Sequence, residues 1–125
     1  MTMEGLNGKK IWIFPDGELP PPGDFPMQGH ESLIVLNCND VPAHGKLSFY
    51  FTDKEPITDI DVVIEPRRVR CFRLNRPSDI GGVEIPLEVQ YAFRLDCDVE
   101  VVAQYGRLDT RDQPVAFYTV MGYCK

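Results

Sequence analysis

Apolar and polar residues alternate with a period of two along most of this chain, and that period predicts strands. In KLSFYFTD, Leu47, Phe49 and Phe51 point one way while Ser48, Tyr50 and Thr52 point the other. EVQYAFRL repeats the device, with Val89, Tyr91, Phe93 and Leu95 set against Glu88, Gln90 and Arg94. VEVVAQY and VAFYTVMGY add two more β-branched and aromatic runs near the C-terminus. Turn-forming clusters, NCND, DKEP, NRPSDIGG and DTRDQP, separate the runs. No stretch of about ten residues carries a helical period, and Pro42, Pro56, Pro66, Pro77, Pro86 and Pro114 interrupt each place where a helix could begin. The expected fold is all-β: a single-domain antiparallel β-sandwich, jelly-roll-like, of about eight strands over residues 1–125, with residues 1–9 as a flexible N-terminal tail.

Some strands are apolar on both faces. Ile11 and Ile13 oppose Trp12 and Phe14, Leu33 and Val35 oppose Ile34 and Leu36, and Phe117 and Met121 oppose Tyr118 and Val120. The outer face of an antiparallel sandwich normally meets water, so a second apolar face predicts coverage by another copy of the chain. Five of the eleven prolines fall between Ile13 and Leu33, which marks that stretch as irregular. Only one short strand precedes it, so a linker between domains is not expected there. Pro20, Pro21 and Pro22 stiffen it and Gly17 and Gly23 let its ends turn, predicting an ordered flap over Pro15–Gly29 beside Trp12, His30 and Glu31.

The bulk numbers narrow the classes. With 43% apolar and 26% charged residues, the chain has the composition of a folded globular domain. No apolar run approaches the roughly eighteen residues that span a bilayer. The N-terminus lacks the apolar core of a signal peptide, so the default location is cytoplasmic. A net charge of −6 repels polyanions overall. Cys38, Cys71, Cys97 and Cys124 form no C-x-x-C pair, and three lie in or beside strand-like runs, where a reduced thiol packs as a small hydrophobe. His30 and His44 are the two histidines, and the His30–Glu31 pair would point to opposite faces of a strand, so no metal and no cofactor are expected.

Two stretches concentrate polar chemistry. RRVRCFRLNR places Val69, Cys71 and Arg73 on one face and Arg68, Arg70, Phe72 and Leu74 on the other, so its apolar side switches partway and predicts a bulge or a strand leaving the core. Its plain reading is a solvated strand paired with the acidic DIDVVIE before it; its functional reading is a set of guanidinium forks for an anion, a polyhydroxylated ligand or phosphates. AQYGRLDTRDQP brings Gln104, Arg107, Asp109 and Arg111 together beside Tyr105, a set found either in a self-paired turn or in a sugar or carboxylate pocket.

In order along the chain, WIFPDG, the Pro/Gly loop, GHESLIVLN, FYFTDKEP, PRRVRCFRLN and VVAQYGRLDTR resemble the Anabaena sensory rhodopsin transducer family of small bacterial proteins, over about residues 10 to 123. The resemblance implies a homotetrameric β-sandwich, a possible membrane photoreceptor or DNA partner, and a module that recognises sugars or related metabolites. It carries over a polar signature of His30, Glu31, Asn37, Arg68, Arg73, Asn75, Gln104, Arg107 and Asp109, with Gly29 where the family pattern leads one to expect a serine. The expected function is a non-enzymatic binding module for a carbohydrate or sugar-acid, with Trp12 as an apolar platform. The alternative is a signalling adaptor contacting a membrane photoreceptor, or DNA through Arg67, Arg68, Arg70 and Arg73. A third reading is a glycoside-active enzyme using Glu31 and Asp109 as a carboxylate pair.

Overall fold

The structure, a computed structural model, describes residues 6–111 and 115–125. Among the described residues eight strands form in order: β1 (Lys9–Glu18), β2 (His30–Asn37), β3 (Ala43–Phe51), β4 (Ile57–Ile64), β5 (Arg68–Arg73), β6 (Gln90–Asp109), β7 (Ala116–Val120) and β8 (Tyr123–Cys124). A 3-10 turn at Pro77–Asp79 lies between β5 and β6. The architecture is an antiparallel β-sandwich, and no helix among the described residues is long and apolar enough to cross a membrane.

β6 builds both layers. Its first half lies in the order β4-β3-β6-β1-β8, while its second half pairs with β2 and β7, and β2 pairs onward with β5. EVQYAFRL and VEVVAQY therefore belong to one strand, joined across the polar DCDVE. The registers Ile11↔Asp96 and Lys9↔Val101 place the irregularity there, so residues 97–100 form the corner. An inward row nevertheless runs through it: Tyr91, Phe93, Leu95, Cys97, Val101, Ala103 and Tyr105 are all buried. VAFYTVMGY does the reverse and splits into β7 and β8, one in each layer.

The core is aromatic at its centre, with the Phe14 and Phe93 rings stacked at 4.8 Å between centroids. The two outer faces differ in character. Outside the first layer, Lys46 pairs with Asp61 and Arg94 with Asp96, the pattern of a solvated face. Outside the second, Val69, Leu36 and Val102 stand opposite one another across three strands, at 64%, 40% and 39% exposure. The double-sided apolar pattern of β2 thus resolves into a core face and an apolar outer face.

Several local expectations change. The arginine strand β5 runs in unbroken register with β2, with no bulge, and β4 pairs with β3 rather than with β5. Its apolar side switches because Phe72 lies over the core while Arg68 and Arg70 reach past the edge; Arg70 lies over the Phe72 ring and donates to Val63 O. β1 continues to Glu18, so Pro15–Glu18 is strand, and Gly17 is buried in it. Gly17 is needed for space rather than for a turn: an added Cβ would lie 2.6 Å from the Tyr91 ring. The loop proper is tied at its far end, where Gly29 N–H and the Thr110 hydroxyl both donate to Pro22 O. At Gly29 an added Cβ would lie 2.9 Å from Pro21 O, so a serine there would be cramped. Of the expected flexible tail, residues 1–5 lie outside the described residues, while Asn7 donates to Asn39 and Lys9 already belongs to β1. Residues 112–114 of the DTRDQP turn also lie outside the described residues.

The corner end is held by two buried polar side chains. Trp12 is 2% exposed, and its indole N–H donates to Lys9 O and Val101 O. Asn37 is fully buried; its amide donates to Val41 O, Ile64 O and Glu65 O and accepts from the Asn39 backbone and side chain. Asn39 in turn donates to Glu100 O. Asn37→Ala would leave several of these groups without partners, so the expected loss of stability is on the order of 3 kcal/mol, read from urea unfolding midpoints.

Candidate ligand site at the open end of the sandwich

At the end opposite the corner, β6 begins and finishes, β1 finishes and β2 begins. Tyr91 and Tyr105 lie about fourteen residues apart, a separation of roughly 46 Å on a straight strand. Both phenols donate to the carboxylate of Glu31, which the folding-back of β6 makes possible. Glu31 is fully buried; Oε1 accepts from Tyr91 at 2.6 Å, and Oε2 accepts from Tyr105 and from the Glu18 N–H at 3.1 Å. Burial raises its pKa above the ordinary carboxylate value, against the opposing pull of the Tyr91 and Glu18 hydrogen bonds and the Arg107 charge.

From Glu31 a ladder of alternating charge runs outward. Arg107 lies opposite Glu31 in the β2–β6 register, with Nε 3.6 Å from Oε2 and 3.3 Å from Glu18 O, to which it donates. Its Nη2 is 3.5 Å from the Glu18 carboxylate and its Nη1 donates to Asp109 at 3.1 Å. Asp109 accepts from the Arg111 backbone and guanidinium, and Arg111 donates to Glu88 at 2.8 Å. Side-chain exposure climbs along this ladder, from 0% at Glu31 through 12% at Arg107 and 16% at Asp109 to 34% at Arg111 and 57% at Glu88. Arg111 beside Asp109 holds its carboxyl far below the ordinary range. Tyr118 of β7 stands opposite Arg107, half-exposed, with its phenol pKa raised chiefly by burial. Glu88 holds a left-handed backbone at φ 57°, uncommon for a side-chain-bearing residue.

Next to the ladder lies a pocket of about 510 Å³. It is lined by Leu19, Leu74, Asn75, Pro77 and residues 83–87. The same chain segments serve both features: Leu74 N–H donates to Glu31 O, and Glu88 N–H donates to Leu19 O.

Of the residues singled out from the sequence, Glu31, Arg107 and Asp109 meet in the ladder. Arg73 and Asn75 sit at the same end, with Arg73 Nε donating to Asn75 at 3.1 Å. His30 is at the rim, half-buried, with Nδ1 2.9 Å from Gln28 O. The others lie elsewhere. Trp12 is in the core near the corner and offers no open ring face to a ligand. Asn37 spends its amide on backbone groups, and Arg68, paired with it in register, lies on the same far side. Gln104 is exposed on the second layer's outer face, opposite Ile34. Glu18, Glu88 and Tyr91 join the site without having been singled out; the available signal was the inward parity of Tyr91, since a buried phenol needs a polar partner. Among the described residues no group of His, Cys, Asp or Glu is arranged to hold a metal ion.

Removing Glu31 breaks a buried ion pair and strands two phenols, so Glu31→Ala is expected to cost about 3–5 kcal/mol in urea unfolding, and Tyr91→Phe about 1.5–3 kcal/mol. The raised pKa fixes the sign of the pH effect. The folded protein holds the Glu31 proton to higher pH than the unfolded chain, so this contribution is full below the unfolded value and is lost as pH rises through the folded one. The stability advantage of the wild type over Glu31→Gln should therefore shrink as pH rises above the ordinary carboxylate range, read from unfolding midpoints across a pH series.

A family model described as Anabaena sensory rhodopsin transducer matches residues 7–124. Among solved structures, the crystal structure of Thermotoga maritima 1070 is similar with a TM-score of 0.84 and 31% identity, over 95% of this chain and 97% of that one. The Anabaena sensory rhodopsin transducer itself is similar with a TM-score of 0.70 and 31% identity, over 83% of this chain and 91% of that one. No curated protein sequence matches. A family match across nearly the whole length and two full-fold relatives agree: the chain belongs to the Anabaena sensory rhodopsin transducer family.

Proposed function

We propose that this chain is a cytoplasmic, non-catalytic signalling module that assembles as a homotetramer and binds a small polar metabolite, a sugar or sugar acid, at the open end of its sandwich. The observation that carries this reading is the outward ladder from Glu31 to Glu88. Arg107 and Asp109 are positioned by buried neighbours, while Arg111, Glu18 and Glu88 reach solvent beside the half-exposed ring of Tyr118. A sugar acid suits that set: hydroxyls exchange hydrogen bonds with Glu18 and Glu88, a carboxylate takes one fork of Arg111, and Tyr118 supplies the aromatic face that Trp12 does not. A binding role fits better than glycoside cleavage, because Glu31 is sealed from solvent by two tyrosines and joined to Asp109 through Arg107.

The apolar row of Val69, Leu36 and Val102 supports the oligomer, since a flat apolar sheet face of this kind is covered in stable assemblies. A second reading rests on β7 and β8, where Phe117, Met121 and Tyr123 are each at least 65% exposed. They suit contact with a receptor, the role that the name of the Anabaena relative states for that protein. The DNA alternative draws less support: Arg67 is paired with Asp40, and Arg70 is bonded to Val63 O.

Thermal unfolding against sugars, sugar acids and sugar phosphates tests the ligand. A compound at about one hundred times its Kd adds about 2.7 kcal/mol and raises the midpoint by several degrees. Arg111→Ala should abolish that shift, and a panel with no shift for any sugar would remove the reading. A short DNA duplex at low salt, titrated alongside, tests the alternative; a real phosphate footprint weakens steeply as salt rises. For the assembly, Val69→Glu places a charge on an exposed position and should reduce the mass seen by light scattering without lowering the unfolding midpoint of the subunit.

A further inference from the structure

β5 is an edge strand with one side open. Among the described residues it pairs with β2 alone, and Arg68, Val69, Arg70 and Cys71 are all exposed, whichever face they lie on. The direction of its peptide groups follows from its end, where Leu74 N–H donates to Glu31 O. Antiparallel pairing alternates these directions, so the N–H groups of Arg68, Arg70 and Phe72 face β2 and those of Val69, Cys71 and Arg73 face away from it. Arg73 agrees with that parity, since its N–H donates at 2.9 Å to the Asp79 carboxylate and not to β2. Among the described residues no side chain or loop takes up the outward groups of Val69 and Cys71.

This open edge is strongly basic in a chain of net charge −6: five of the eight arginines fall between residues 67 and 76. Arg68 Nη1 donates to Arg67 O at 3.1 Å, Arg70 Nη1 to Val63 O at 2.6 Å and Arg73 Nε to Asn75 Oδ1 at 3.1 Å. All three acceptors are neutral, and among the described residues none of these guanidinium groups has a carboxylate within ion-pair distance. Charged side chains on an edge keep other strands away. Arginines exclude a basic strand or an apolar one, but they attract a strand of opposite sign. Asp79 shows the match inside the chain, an acidic side chain that caps an outward N–H of β5. The edge of the other layer is guarded differently: Asp59 of β4 has a left-handed backbone at φ 62°, and the β3–β4 register shifts between Leu47 and Phe49.

We infer that the β5 edge is a docking site for an acidic, extended segment of a partner protein, which adds to the sheet as an antiparallel strand. Its main chain bonds to Val69 and Cys71, and acidic residues at alternate positions lie opposite Arg68 and Arg70. A blocked peptide alternating glutamate with valine, titrated into isotope-labelled protein, tests this by NMR. Amide shifts should centre on residues 68–73, and exchange of the Val69 and Cys71 N–H with solvent should slow. With the glutamates opposite the arginines, the valine N–H groups face β5. Methylating them should weaken binding at least about tenfold, whereas methylating the glutamate N–H groups should leave it unchanged. Arg68→Gln combined with Arg70→Gln should weaken binding about tenfold, and a peptide with lysine in place of glutamate should not bind. Arg111→Ala should leave the peptide bound whatever it does to a sugar acid. Equal weakening by the two methylated peptides, binding of the lysine peptide, or shifts lying elsewhere would overturn the proposal. So would a short DNA duplex that binds the same residues more tightly than the peptide, which would reassign these arginines to phosphates.

Discussion

A carboxylate sealed inside a sandwich is costly unless hydrogen bonds satisfy it, and this fold closes one end around such a group. Glu31 collects a phenol from each half of β6, a backbone N–H from β1 and the charge of Arg107. The strand that supplies both phenols must fold back across the core, so the contact defines how the two layers meet. The opposite end has a matching device, where Trp12 and Asn37 bond the backbone around the corner and its neighbouring turns. Aromatic and aliphatic packing fills the space between, but these polar contacts set the relative placement of the layers. Apolar packing alone is non-directional and would tolerate other placements.

The ladder leading out from Glu31 passes from fixed to exchangeable interactions. Arg107 is almost enclosed and meets three carboxylates, so moving it would uncover buried charge. At the outer end, Arg111 and Glu88 are partly solvated, and pairs of that kind contribute little individually. A ligand can replace the outer pair cheaply while the inner members hold their geometry. The arrangement is therefore preorganised at its base and open to substitution at its rim, which is what selective binding of a polar molecule requires.

Much of this was legible in the sequence. Period-two alternation marked the strands, and turn-residue clusters marked the breaks between β2 and β3 and between β3 and β4. Arg107 and Asp109 stood out within the polar cluster AQYGRLDTRDQP, and Glu31 within the polar signature that the family resemblance carries over. The errors have physical causes. β6 read as two strands because DCDVE is polar, although the inward row from Tyr91 to Tyr105 crosses it without losing parity. Trp12 could not be placed because both faces of β1 are apolar, and only its pairing with β6 decides which face is inside. Asn37 looked like a ligand residue because sequence does not distinguish an amide facing solvent from one satisfied by backbone carbonyls. The bulge expected in β5 came from reading a change of apolar side as a change of direction; long arginine side chains at a sheet edge produce the same pattern in a regular strand.

The two outer faces bear differently on the proposed assembly and on the proposed ligand site. One is laced with ion pairs and suits solvent, while the other carries the Val69–Leu36–Val102 row and suits a neighbouring copy. The charge ladder lies at the end of the sandwich, so covering the apolar face leaves its outer members accessible. β7 relates the two surfaces directly. Tyr118 faces Arg107 on the inner side, whereas Phe117 lies opposite Leu108 on the outer side, and the pleat makes their positions interdependent. One short strand thus carries both surfaces, with Tyr118 toward the ladder and Phe117 toward the outer face.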